Sequence, residues 1–207
     1  MREFIIATSN RKKVEEIERI LSPLGITAVS AAERGIDLSL AVEDGETFAD
    51  NALIKAKYAF SRCHSPVIAD DSGLCVDALG GRPGVYSARY GGEHLSYREK
   101  IGLLLSELQD VPDEKRTAHF SCAVCCIVDD YTVIRLEARC EGRIAREPCG
   151  EGGFGYDPVF TVGDGDRSFA SLSPAEKDAL SHRGNALRML RDELLKLTIG
   201  GQSHADK

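Results

Sequence analysis

The first two dozen residues already restrict the fold. Phe4-Ile5-Ile6-Ala7 is a short apolar run that reads as a buried strand. Thr8-Ser9-Asn10 breaks it with small residues whose side chains bond to nearby backbone. Val14, Ile17, Leu21 and Leu24 then recur at helical spacing, and Pro23-Leu24-Gly25 ends the helix. A strand that gives way at once to a helix opens an alternating α/β chain.

The alternation continues. Ile26 to Leu40 reads as strand and loop, and Thr47 as the N-cap of a helix carrying Phe48, Ala52, Ala56, Ala59 and Phe60 on one face. Pro66-Val67-Ile68-Ala69 is a further strand, expected to end at Asp70-Asp71-Ser72-Gly73. Ser96 with Glu99, and Ser173 with Glu176, are capping-box pairs. Strands are expected near His119 to Val128 and Tyr131 to Cys140, joined at Asp129-Asp130, and near Val159 to Val162. The last helix carries Ala186, Leu187, Leu190, Leu194 and Leu197. These signals predict an α/β fold with a mixed sheet, residues 1–198 forming the domain and 199–207 a disordered tail.

Composition narrows the function. With 207 residues, 43% of them hydrophobic, the chain can bury one core and is not disordered. A net charge of -7 argues against a nucleic-acid partner but leaves room for a small anion in a local basic pocket. Apolar runs fall far short of the ~20 residues that cross a bilayer, so no membrane partner is expected. The start lacks a signal-peptide layout, and a cytoplasmic location is expected. Seven cysteines then read as free thiols. Cys122, Cys125 and Cys126 lie in a strand-like run and read as core thiols in preference to a zinc site.

Five places carry candidate chemistry. Thr8, Ser9, Asn10, Arg11, Lys12 and Lys13 sit where a helix N-terminus would favour an anion; the alternative is an ordinary capped helix. Asp70 and Asp71 repel each other and need countercharge, which a hard cation would supply; in a strand they point to opposite faces, so one may serve the scaffold. Glu43-Asp44-Gly45-Glu46 is either a solvated acidic loop or a source of a second carboxylate for that cation. Asn51 and Lys55 share a helix face. Gly152 to Pro158 holds Phe154, a stacking surface, and Asp157, an acceptor for a ring N–H. Lys177, His182 and Arg183 are either donors to a base or an exposed basic helix end.

Taken in order, ATSNRKKVEEI, DGETFADNALIKAK, IADDSGLCVDALGGRPGVYSARYGG, GGFGYDPVF and LSPAEKDALSHRGNAL closely resemble the non-canonical purine NTP pyrophosphatases, also called inosine/xanthosine triphosphate pyrophosphatases. The resemblance spans about Phe4 to Leu197. It implies a two-lobed α/β fold with an elongated mixed sheet flanked by helices and a central cleft. It also implies hydrolysis of ITP, dITP and XTP to monophosphate and pyrophosphate, a Mg²⁺ requirement and a homodimer. By position, Thr8 to Lys13 and Lys55 would hold phosphates, Asp71 would be general base and metal ligand, and Ser72 would touch substrate. Phe154, Gly155, Tyr156, Asp157, Lys177, His182 and Arg183 would form the base pocket. Where many relatives carry an earlier acid, this chain has Val42, so Glu43 is expected to be the second metal carboxylate. A pyrophosphatase of other base preference and a non-catalytic nucleotide sensor are the alternatives.

Overall fold

The computed structural model describes residues 2–163 and 167–202. Seven strands, β1 (Arg2–Ile6), β2 (Ile26–Ser30), β3 (Val67–Val76), β4 (Thr117–Ile127), β5 (Val133–Ile144), β6 (Phe160–Val162) and β7 (Arg167–Ser168), order as β2-β1-β3-β4-β5-β6-β7. β1 pairs in parallel with both β2 and β3. β6 pairs antiparallel with β5 and β7, so the sheet is mixed. The helices are α1 (Arg11–Leu21), α2 (Phe48–Cys63), α3 (Tyr97–Glu107), α4 (Pro174–Leu180) and α5 (His182–Gln202).

The chain forms two compact units: Met1–Asp71 with Ala123–Ala138 and Arg183–Lys207, and Ser72–Cys122 with Arg139–His182. The first unit's core joins Ile5 of β1 and Ala7 just beyond it, Val67 and Ala69 of β3, and Ala123, Cys125 and Ile127 of β4 to Ala52, Ala56 and Ala59 of α2. Three alanines on one face of α2 let the helix lie close to the strands. The second unit's core is built on Leu74 and Val76 of β3, Ile101 and Leu104 of α3, and the aromatic group Phe120, Phe160 and Phe169. Phe120 and Phe160 meet edge-to-face with centroids 4.7 Å apart, a favoured ring geometry.

Helix starts follow the local chemistry. The Thr47 side chain accepts from the Asp50 N–H. Ser96 and Ser173 each accept from the backbone of a glutamate three residues on, and Glu99 and Glu176 return the bond. Gly25 ends the first helical segment at a left-handed φ of 68°, which only a residue without a Cβ adopts at low cost.

The structure departs from the expected pattern in β3 and in the last helix. β3 does not end at Ala69 but runs through both aspartates to Val76. Leu74 and Val76 alternate into the second core, and this burial outweighs the turn-forming character of Asp70-Asp71-Ser72-Gly73. Leu197, expected on the buried face of the last helix, is 43% exposed, whereas Ala186, Leu187, Leu190 and Leu194 are buried. Helix α5 continues past the expected boundary at 198 to Gln202. The rest of the expected tail, 203–207, lies outside the described residues. All seven cysteines are free thiols, with Cys122, Cys125 and Cys126 buried in β4. Among the described residues no helix is long and apolar enough to cross a membrane.

Loss of a capping box leaves helix N–H groups unpaired and costs about 1 kcal/mol. Ser96→Ala should therefore lower the melting temperature by roughly 2–4 °C, read by differential scanning calorimetry.

Candidate active site

The turn between β1 and α1 is ordered by its own side chains. Thr8 Oγ1 accepts from the Asn10 N–H at 3.2 Å, and Asn10 Oδ1 accepts from the Lys12 N–H at 3.0 Å as the helix cap. Ser9, Arg11 and Lys12 are exposed. Arg11 lies 3.3 Å from Glu15, one turn along the helix. Lys13 turns toward β3, its Nζ 2.9 Å from Asp70 Oδ2. No acidic residue stands in the first turn of α1, so its positive end is left available to an anion.

The two aspartates of β3 stand in different electrostatic states. Asp70 is buried and meets Lys13 and the Arg183 Nε, which is 3.0 Å away. Arg183 also donates through Nη1 to Glu16 Oε2 at 2.7 Å, and Glu16 is itself buried on α1. Burial alone would push the Asp70 carboxyl up. The charges of Lys13 and Arg183, with Lys55, outweigh it and hold the group well below the usual carboxylate range.

Asp71 has a different set of partners. Lys55 Nζ stands 3.4 Å from its Oδ1, and Asn51 Nδ2 donates to its Oδ2 at 3.3 Å. The same Lys55 Nζ is 2.7 Å from Glu43 Oε2. Burial is the strongest influence on Asp71 and raises its pKa; Lys55 and Lys13 oppose it, while Glu43 and Asp70 add to it. For Lys55, burial works against the charged form, but Asp71, Glu43 and Asp70 together raise its pKa. Asp71 is thus a partly shielded carboxylate, about 16% exposed, facing one ammonium and one amide in place of a guanidinium.

In the second unit, the loop from Gly152 to Pro158 closes on a buried ion pair. Asp157 Oδ2 accepts from the Phe154 N–H at 2.7 Å and from Lys177 Nζ at 2.7 Å. Lys177, on α4, also lies over the Phe154 ring, 4.4 Å from its centroid. Gly153 has φ 68°, and a Cβ there would come within 2.1 Å of the Asp157 carboxylate, so the turn requires glycine. Tyr156 is buried and its hydroxyl donates to the Ser87 carbonyl at 3.0 Å, which anchors the loop to the core. Burial pushes this phenol well above its ordinary value. His182 stacks on Phe120 with centroids 4.6 Å apart and planes at 11°.

The structure therefore gathers the expected residues into two sets. Lys13, Lys55, Glu43 and Asp71 belong to the first unit. Phe154, Gly155, Tyr156, Asp157, Lys177 and His182 belong to the second, which begins at Ser72. Arg183, expected among the base-side residues, has its Nε and Nη1 on Asp70 and Glu16 of the first unit. Val42 is 71% exposed, and Glu43 is the acid that reaches Lys55. Three participants were not expected: Asn51, Glu16 and Asp70 as a countercharge for Lys13. Asn51 left a signal in its spacing of four from Lys55 on α2, and Asp70 in its adjacency to Asp71; Glu16 left none.

These states predict opposite responses to charge removal. Asp70 stabilises the fold above the ordinary carboxylate pKa of about 3.9, and that contribution is lost as pH falls through its depressed value. Asp71, raised in the fold, is held against its charged form at neutral pH. Asp70→Asn should cost about 3–5 kcal/mol by leaving Arg183 and Lys13 without their shared anion. Asp71→Asn should leave stability unchanged or higher. Urea denaturation of both variants at pH 7 checks this.

Comparison with known proteins agrees in sequence and in fold. The Ham1 family profile matches residues 4–193. A dITP/XTP pyrophosphatase of Geobacillus kaustophilus (strain HTA426) is 46% identical over 206 residues, covering 100% of both chains. The dITP/XTP pyrophosphatase of Bacillus subtilis (strain 168) is 47% identical over 190 residues, 92% of this chain and 96% of that one. The solved structure of a HAM1 protein from Coxiella burnetii superposes with a TM-score of 0.85 at 39% identity, covering 95% of this chain and 100% of that one. A nucleoside-triphosphatase / dITP/XTP pyrophosphatase from Mycobacterium abscessus gives 0.72 at 43% identity, covering 91% and 98%. Matched along nearly its whole length by family, relatives and solved structures alike, this chain belongs to the Ham1 family.

Proposed function

We propose that this protein hydrolyses inosine, deoxyinosine and xanthosine triphosphates to the monophosphate and pyrophosphate, clearing them from the nucleotide pool. The observation that carries the mechanism is the contrast between neighbouring carboxylates on β3. Asp70 is neutralised by Lys13 and Arg183, while Asp71 keeps a raised pKa beside Lys55 and Asn51. A carboxylate of the second kind can accept a proton from water; one of the first kind cannot. Asp71 is then the general base, taking the proton as water attacks the α-phosphorus. Lys13 and Lys55, with the donors of Thr8 to Lys12, hold the polyphosphate, whose charge would otherwise repel the nucleophile.

The donor chemistry near Lys55 suits a hard divalent ion, since Glu43 and Asp71 converge on one ammonium. Among the described residues no group of three or more His, Cys, Asp or Glu is arranged to hold a metal. Two carboxylates suffice for Mg²⁺, which usually completes its shell with waters and substrate phosphates. Asp71 and Glu43 are the residues that would hold it. When bound, it would neutralise phosphate charge and stabilise the leaving pyrophosphate.

Base selection falls to the second unit. Phe154 offers a stacking face, and Asp157 fixes the Lys177 ammonium beside it. A 6-oxo purine presents an acceptor to that ammonium, whereas adenine presents a 6-amino donor, leaving the buried cation unmatched. His182, stacked on Phe120, is assigned to the same base pocket, and Ser72 follows Asp71 on the same strand. Arg183 supports the site through Asp70. The resemblance carried by the sequence motifs is also what supports a homodimer.

Pyrophosphate release from ITP should vanish with EDTA and return with Mg²⁺. Asp71→Asn should lower turnover by ~10²–10⁴-fold while the protein stays folded. A near-normal rate would remove Asp71 as the base, and tight ITP binding without turnover in the wild type would favour the sensor reading. Lys177→Gln should cut the ITP-over-ATP ratio of kcat/KM at least ~10-fold; an unchanged ratio would move base selection elsewhere.

A further inference from the structure

Helix α2 holds the Asp71 carboxylate at two points one turn apart. Lys55 faces Oδ1, and Asn51 donates to Oδ2. Each of these side chains also grips the acidic loop that precedes the helix. Lys55 binds Glu43, and Asn51 Oδ1 accepts from the Gly45 N–H at 2.9 Å. Asn51 is only 2% exposed. Its amide can stand in one orientation only. A flip would set its carbonyl oxygen against a carboxylate and its amide hydrogens against an N–H. Lys55 alone would fix the distance to one carboxylate oxygen but leave rotation about the Cβ–Cγ bond open. The Asn51 bond to the second oxygen closes that rotation. At the same time its bond to Gly45 fixes the loop that carries Glu43.

We propose that Asn51 is a positioning residue that sets the rotation of the Asp71 carboxylate and ties it to the Glu43–Gly45 loop. It acts on the reaction through Asp71 and does not itself touch the substrate. The inference rests on the assignment of Asp71 as general base. A catalytic group left free to turn reacts from fewer of its orientations, and small misplacements cost up to ~10²-fold in rate. Lys13 and the donors of Thr8 to Lys12, which hold the phosphates in the proposed mechanism, lie on another element.

The test is a double-mutant cycle in kcat and KM for ITP, with thermal unfolding of every variant. Asn51→Ala should lower kcat roughly 10- to 100-fold and change KM less than about threefold. In an Asp71→Asn background the same substitution should cost little further, because the group it positions is already lost. Asn51→Leu keeps the volume and the helix while removing the donor to Asp71, and it adds no charge beside that carboxylate. It guards against a folding failure of the alanine variant and should show a comparable kcat loss. Equal kcat losses in the wild-type and Asp71→Asn backgrounds would overturn the proposal, as would a rise in KM with kcat intact. A fully active Asp71→Asn single variant would instead overturn the general-base assignment, which separates the two failures.

Discussion

The buried chain of charges Lys13–Asp70–Arg183–Glu16 is the constraint on which the rest of the site depends. Adjacent aspartates on an interior strand cannot both be left to solvent for countercharge. Asp70 is buried, so an unpaired carboxylate there would cost several kcal/mol. Arg183 answers it from the start of α5, and Glu16 balances the guanidinium in turn. The bonds join residues 113 and 167 positions apart, so the network also fastens β3 and α1 to α5. With Asp70 satisfied in this way, the charge on Asp71 need not be absorbed by the scaffold.

Strand geometry makes that division possible. Neighbouring side chains on β3 face opposite ways, so one carboxylate can be structural and the other reactive without a turn between them. The partners differ in kind as well as in direction. A guanidinium and a lysine form a strong, persistent cage. A lysine shared with Glu43, and an amide, leave Asp71 a weaker hold and a carboxyl group that resists ionisation. In the second unit the same economy recurs: the Asp157 carboxylate orders both its own loop and Lys177, and a glycine beside it provides the room.

Local chemistry was the legible part of this fold. Helix starts at Thr47, Ser96 and Ser173 follow from residues three apart, and the strand–helix alternation follows from apolar spacing. Glu43 was readable as an acid that could join Asp71, and Lys55 as sharing a helix face with Asn51; the pairing of Lys13 with Asp70 was not. What failed depended on distance along the chain. β3 read as ending at Ala69 because two aspartates and a glycine resemble a turn; their neutralisation by residues far away is invisible locally. That Arg183, expected at the base, also bonds Asp70 and Glu16 has no sign near it in the sequence, because these partners lie 113 and 167 positions away. Asn51 sits in an ordinary helical run, and its importance appears only when β3 and the acidic loop are brought against it.

The contrast between the two aspartates can be measured without substrate or metal. Carboxyl ¹³C shifts of Asp70 and Asp71 in the metal-free protein, followed by NMR through an acid titration, give each group's ionisation directly. Asp71 should take up its proton above the ordinary carboxylate value of about 3.9 while Asp70 stays ionised below it. Matching titrations, or Asp70 protonating first, would contradict this.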